Sequence, residues 1–200
     1  MTLASTSPAF SLCVYCGSRF GSRPAYQAAA RAVGTFIGQQ GWQLVYGGGN
    51  VGLMGVVADA TLAAGGRAIG VIPRSLMERE VGHQALHEQH VVETMHQRKQ
   101  MMAERAQAFV ALPGGIGTLE ELYEVWTWRQ LGYHRRPIGL LNVDGYYDEL
   151  LAFMRRSVED GFLGPEQMAL VQVADDPATL LSDLYRRSQA AEEGHQLDRI

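Results

Sequence analysis

The chain is predicted to fold as an α/β domain, a Rossmann-like doubly wound parallel sheet with helices on both faces. Three observations carry that expectation. Short apolar runs alternate with longer helical stretches from end to end, which is the pattern of repeated β-α units. The runs are continuously apolar rather than alternating, as in strands buried on both faces. Three of the predicted strands end in glycine-rich loops, where open α/β sheets carry their ligands.

Taken in order, residues 12–15 read as the first strand. Residues 24–40 form a helix with Pro24 in its first turn and Gly41 beyond its end. Residues 42–46 are the second strand, and residues 53–64 a helix halted at Gly65-Gly66. A strand at 68–72 closes at Pro73, and a shorter one at 88–92 leads into a helix at 95–105. After them come strand 108–112, helix 119–131, strand 138–141, helix 147–159, strand 170–173 and helix 177–187. Residues 1–187 therefore make one domain, with 188–200 expected as a frayed polar tail.

Composition narrows the partners. A formal charge of −4 and a pI near 5.9 argue against a nucleic-acid backbone or an anionic membrane as the main ligand. No apolar stretch reaches the roughly 18 residues that span a bilayer, and the start of the chain lacks the pattern of a secretory signal, so the cytoplasm is the expected location. Cys13 and Cys16 have the C-x-x-C spacing of redox and metal sites, but both fall on the first strand and its exit, which favours a structural reading.

The chemistry concentrates in the loops. Cys16-Gly17-Ser18 follows the first strand, Gly47-Gly48-Gly49-Asn50-Val51-Gly52 the second, and Pro113-Gly114-Gly115-Ile116-Gly117-Thr118 a later one. Glycines let backbone N–H groups approach an anion, and the helix after the last of these loops directs its positive end at the same point. Residues 1–187 thus read as a nucleotide-binding domain. The second loop fits G-x-G-x-x-G, yet the following strand ends at Pro73-Arg74 without the acid that holds a ribose diol, so a dinucleotide is disfavoured. No loop ends in the Gly-Lys-Ser/Thr of an NTPase.

Two further segments stand out. Arg98 and Lys99 lie near the start of a helix, where cations are disfavoured unless an anion is close, and this suggests phosphate contact for at least one of them. Thr118 is a good N-cap, and Thr118-Leu119-Glu120-Glu121 is also a capping box. Glu121 therefore has two readings, a capping group or a catalytic carboxylate. Glu120 points about 100° away around the helix and reads as a first-turn charge. His83, His87 and His90 fall at i, i+4 and i+7, the spacing of one helical face, but no acidic partner accompanies them. No metal site is expected.

Together these segments resemble the Lonely Guy (LOG) family of cytokinin-activating phosphoribohydrolases, also labelled lysine-decarboxylase-like. The resemblance is carried by residues 13–18, 45–55, Met95-His96-Gln97-Arg98-Lys99, and the P-G-G-x-G-T-x-x-E pattern from Pro113 to Glu121. Residues 131–134 and 139–147 are similar to the family as well. It implies hydrolysis of an N6-substituted adenosine 5′-monophosphate to free base and ribose 5-phosphate, by a homodimer and without a cofactor. It implies catalytic roles for Arg98 and Glu121, and phosphate contacts from Gly115, Ile116, Gly117 and Thr118, with Lys99, Gly47, Gly48 and Gly49 nearby and Ser18 as a further contact. Glu80 and Thr127 match family positions that touch the nucleotide, although periodicity alone makes them an exposed acid and an ordinary helix residue. A non-catalytic nucleotide or cofactor carrier on the same fold is the alternative. Lysine decarboxylation is a third reading, weakened because the chain has very few lysines to anchor a Schiff-base cofactor.

Overall fold

The structure is a computed structural model that describes residues 10–80 and 82–197; the side chains of 78–80 and 192–197 lie outside that description. Among the described residues, seven strands form one parallel sheet: β1 (Ser11–Tyr15), β2 (Gln43–Tyr46), β3 (Arg67–Pro73), β4 (Glu88–Val92), β5 (Ala108–Ala111), β6 (Ile138–Leu141) and β7 (Val171–Ala174). Their spatial order is β4-β3-β2-β1-β5-β6-β7, and every adjacent pair is parallel. The chain winds outward from β1 in one direction to β4, then crosses back to β5 on the other side of β1. The switch point therefore lies between β1 and β5, where the strand exits part and leave a crevice.

The central strands are buried throughout because helices cover both faces. On one face Leu12, Val14, Leu44 and Val110 pack with Val33 and Ile37 of α1 (Pro24–Gln39), Val57 of α2 (Gly52–Ala63), and Leu180 and Leu184 of α8 (Pro177–Leu197). On the other, Cys13, Tyr15, Val45 and Phe109 pack with Met102 of α4 (Met95–Glu104), Leu122, Val125 and Trp126 of α5 (Ile116–Gln130), and Met154 of α6 (Asp148–Glu159). Helices α1 and α2 meet closely at Gly34, where a Cβ would stand 2.4 Å from the Val57 carbonyl oxygen.

Alternation along β1 decides the cysteine question. Cys13 and Cys16 are three residues apart, so they fall on opposite faces and join different core clusters. Both are free and buried, and burial pushes both thiols far above their ordinary range, which keeps them protonated and inert.

The structure corrects four expectations. Helix α5 begins at Ile116, not 119, with extended Gly115 as its N-cap. Short helices α3 (Arg74–Glu80) and α7 (Pro165–Met168), and a 3-10 turn at Val143–Gly145, were not expected; each is too short to show a helical period. Helix α8 runs on through the expected tail to Leu197, with Ser188 buried and its hydroxyl bonded to the Tyr185 carbonyl at 2.7 Å. The histidines share no helical face. His83 bonds Asp59 at 2.9 Å, His87 Nδ1 accepts from the Ala68 N–H, and His90 bonds Glu88 at 3.0 Å. Among the described residues no group of His, Cys, Asp and Glu is placed to hold a metal ion, and no helix is long and apolar enough to cross a membrane.

Candidate active site

A cleft of about 650 Å³ opens at the switch point, over the exits of β1, β2 and β5. Its loops are tied together through one residue. The Gly17 N–H donates to the Pro113 carbonyl at 3.0 Å, and the Gly17 carbonyl accepts from the Leu53 N–H at 3.0 Å. The three glycine-rich exits thus converge as the sequence suggests. Gly114 permits a close approach: a Cβ there would lie 2.1 Å from Thr118 Oγ1 and 2.9 Å from the Gly17 nitrogen.

Gly115, Ile116, Gly117 and Thr118 line this cleft, with Thr118 buried and the other three exposed. Because Gly115 caps α5, Thr118 sits one turn inside the helix rather than at its cap. The capping box proposed for Thr118 and Glu121 therefore does not form. Glu121 instead lines the cleft, half-buried, and close enough to Tyr15 and Cys16 to help raise both their pKa values, after burial.

Arg98 also lines the cleft and is 5% exposed. Its Nε donates to the Val71 carbonyl at 3.1 Å and its Nη2 to the Gly47 carbonyl at 2.9 Å, so the guanidinium is fixed across the ends of β3 and β2. Two carbonyl dipoles offset its unfavourable place in the first turns of α4. Gly47 has no room for a side chain, since a Cβ would stand 2.1 Å from Arg98 Nη2. The helix is capped independently: Thr94 Oγ1 accepts from the Gln97 N–H at 3.1 Å while Gln97 Oε1 accepts from the Thr94 N–H.

Lys99 departs from expectation. The only lysine of the sequence, it is 7% exposed and does not line the cleft. Its ammonium is bound by Glu120 and by Glu124, the latter at 2.9 Å. Burial works to lower its pKa, but the two carboxylates outweigh it and hold the group above its ordinary value. The anion that offsets this helix-start cation is thus a pair of carboxylates on α5, not a phosphate.

The other expected residues divide. Ser18 and Gly47 line the cleft, whereas Gly48 and Gly49 do not. Gly48 turns with φ +77 against β3 and accepts from the His83 N–H, and Gly49 pairs with Gly82. Thr127 is exposed on α5, outside the cleft of its own chain. Glu80 ends α3, and its side chain lies outside the described ones.

Two tyrosines were missed. Tyr146 lines the cleft and its hydroxyl donates to the Gly114 carbonyl at 2.6 Å; Tyr147 donates to the Leu112 carbonyl at 2.6 Å. The β6 exit that bears them, residues 142–147, was legible only as part of the resemblance.

A family model described as "possible lysine decarboxylase" matches residues 54–184. Cytokinin riboside 5′-monophosphate phosphoribohydrolase LOG7 of Arabidopsis thaliana is 50% identical over 86% of this chain and 80% of its own length. The chain belongs to the LOG family. Another relative, the probable cytokinin riboside 5′-monophosphate phosphoribohydrolase LOGL2 of Oryza sativa subsp. japonica, is 48% identical over 91% of this chain and 75% of its own length. Solved structures share the fold: the molybdenum cofactor binding protein of Rippkaea orientalis has a TM-score of 0.68 at 22% identity, covering 92% of this chain and 98% of that one. The molybdenum cofactor carrier protein of Chlamydomonas reinhardtii has a TM-score of 0.66 at 23% identity, covering 88% and 96%. Against LOG relatives at about twice that identity, these show the doubly wound sheet and nothing further.

Proposed function

We propose that the cleft hydrolyses the N-glycosidic bond of N6-substituted adenosine 5′-monophosphates, releasing the free cytokinin-type base and ribose 5-phosphate. One observation carries this reading: a fixed guanidinium, Arg98, and a carboxylate, Glu121, line the same cleft as the Gly115–Thr118 turn. The names of the LOG relatives support it.

In this reading the 5′-phosphate rests on the N–H groups at the start of α5, where the helix dipole favours an anion. Water attacks the ribose C1′, the bond from C1′ to the base nitrogen breaks, and the base leaves with its electron pair and takes up a proton. Positive charge develops on the ribose as the bond lengthens. Glu121 stabilises that charge and accepts a proton from the attacking water. Arg98 supplies a positive charge that needs no reorganisation, because two carbonyls already hold it. Lys99 has no part in this chemistry. Protonated and bound by two carboxylates, it also lacks the free amine of a Schiff-base anchor, which argues against lysine decarboxylation.

The working unit in this reading is a cytoplasmic homodimer. Thr127 is exposed outside its own cleft, so its implied nucleotide contact requires a second copy.

The test is release of ribose 5-phosphate from isopentenyladenosine monophosphate and from AMP, by wild-type protein and Glu121→Gln. Wild type is expected to turn over the substituted nucleotide, and AMP as a second substrate. The variant should lose about 10²- to 10⁴-fold in turnover while still binding nucleotide. Nucleotide binding without product from wild type would favour a carrier, which has no use for a carboxylate in the same cleft as Arg98.

A further inference from the structure

We infer that Tyr146 is a positioning residue that sets the phosphate-binding backbone, through its bond to the Gly114 carbonyl; this rests on the phosphate placement in the proposed function. The peptide joining Gly114 to Gly115 has glycine on both sides, and such a unit rotates with little steric hindrance. A planar trans peptide keeps its C=O and N–H on opposite sides. Fixing the Gly114 carbonyl therefore fixes the Gly115 N–H, at the start of α5, in the orientation that an anion meets. The Tyr146 hydroxyl does this at 2.6 Å.

The clamp is itself held in place. The Tyr146 ring stands edge-on to Tyr26, with centroids 5.4 Å apart, and to Tyr147 at 4.8 Å. The turn that carries it is held at two points. Asn142 Oδ1 accepts from the Tyr147 N–H at 2.7 Å, and Arg23 donates to the Asp144 carbonyl at 3.2 Å. Asp144 takes the left-handed conformation, φ 49, that this turn needs.

Tyr147 provides an internal control. Its hydroxyl holds the Leu112 carbonyl, but that peptide leads into Pro113, which has no N–H to orient. Two adjacent tyrosines thus make the same kind of bond to the same loop, and only one of the peptides they hold can present a donor.

Ribose 5-phosphate and adenine are titrated separately by calorimetry into wild type, Tyr146→Phe and Tyr147→Phe, and each protein is melted. Tyr146→Phe should weaken ribose 5-phosphate binding about fivefold, the loss of one neutral hydrogen bond, with adenine binding unchanged. In turnover its KM should rise by the same factor with kcat held. Tyr147→Phe should lower the melting temperature and leave ribose 5-phosphate binding unchanged. The inference is overturned if Tyr146→Phe binds ribose 5-phosphate like wild type, if it loses both ligands together, or if both variants weaken ribose 5-phosphate equally. It is also overturned if wild type does not bind ribose 5-phosphate. Wild type that binds the phosphate sugar but releases none from nucleotides would overturn the hydrolase reading and leave the clamp standing.

Discussion

Gly115 and Gly117 are unlike the other glycines of the cleft. Gly114 and Gly47 are required by the protein itself, because a Cβ at each would stand 2.1 Å from a side-chain atom. At Gly115 and Gly117 a Cβ would meet nothing within 4 Å, and neither has positive φ. Their lack of a side chain answers to the space in front of them. Gly117→Ala should therefore keep or raise stability, by about 0.5–1 kcal/mol for an alanine within the helix. It should weaken nucleotide binding about tenfold or more, equivalent to about 1.4 kcal/mol. Thermal melting and calorimetry on one preparation check both, and a destabilised variant with intact affinity would reverse the assignment. Residue identity alone did not separate these two classes of glycine, since the distinction lies in what faces each one across the loop.

Among the elements, α5 starts at the cleft, and His134 lies just beyond its C-terminus. The His134 Nε2 donates to the Val125 carbonyl at 2.9 Å, and Nδ1 accepts from the Arg136 N–H at 3.1 Å, which defines a neutral imidazole against Phe109. Burial, followed by the Arg136 and Arg129 charges, lowers its pKa to about 4 against the opposing effect of its bond to the Val125 carbonyl. The unfolded chain, with an ordinary histidine, takes up the proton first. This contribution to stability is therefore whole above about pH 6.5 and is lost as pH falls towards 4. The melting temperature of wild type should drop by several degrees across that window, and His134→Gln should flatten the drop. A variant with the wild-type slope would assign the acid sensitivity elsewhere. The strands and long helices were legible because their apolar patterns exceed a turn or a few pleats. The start of α5 was not: Thr118 makes a good cap in isolation, but extended Gly115 takes that position first. Nor could spacing show that Lys99 turns to Glu120 and Glu124, since that choice depends on how α4 packs beside α5.

For the whole molecule, the order of strands explains why the site is where it is. Segments far apart in sequence, near residues 17, 47, 98, 115 and 146, meet because the winding reverses between β1 and β5. That convergence was readable from the β-α alternation and the glycine loops together, while the tyrosine clamp on the β6 exit had no local signature. The outer surface adds a prediction about assembly. Leu131 and Tyr133, just beyond the C-terminus of α5, are 60% and 77% exposed, and apolar side chains of this kind are suited to a subunit contact. Light scattering should give twice the 22.0 kDa chain mass, and Leu131→Glu should shift the protein towards monomer with loss of turnover. A fully active monomer would remove the dimer from the proposed function.

Gly17 joins the halves of the crevice, giving its N–H to the Pro113 loop on one side of the switch point and its carbonyl to the first turn of α2 on the other. A hinge at that place would have let the halves part, with each encounter spending binding energy to bring them together again. A shared backbone pivot instead makes the walls one preassembled vise, so a nucleotide enters a shape that already exists and the ordering cost of these loops is met during folding.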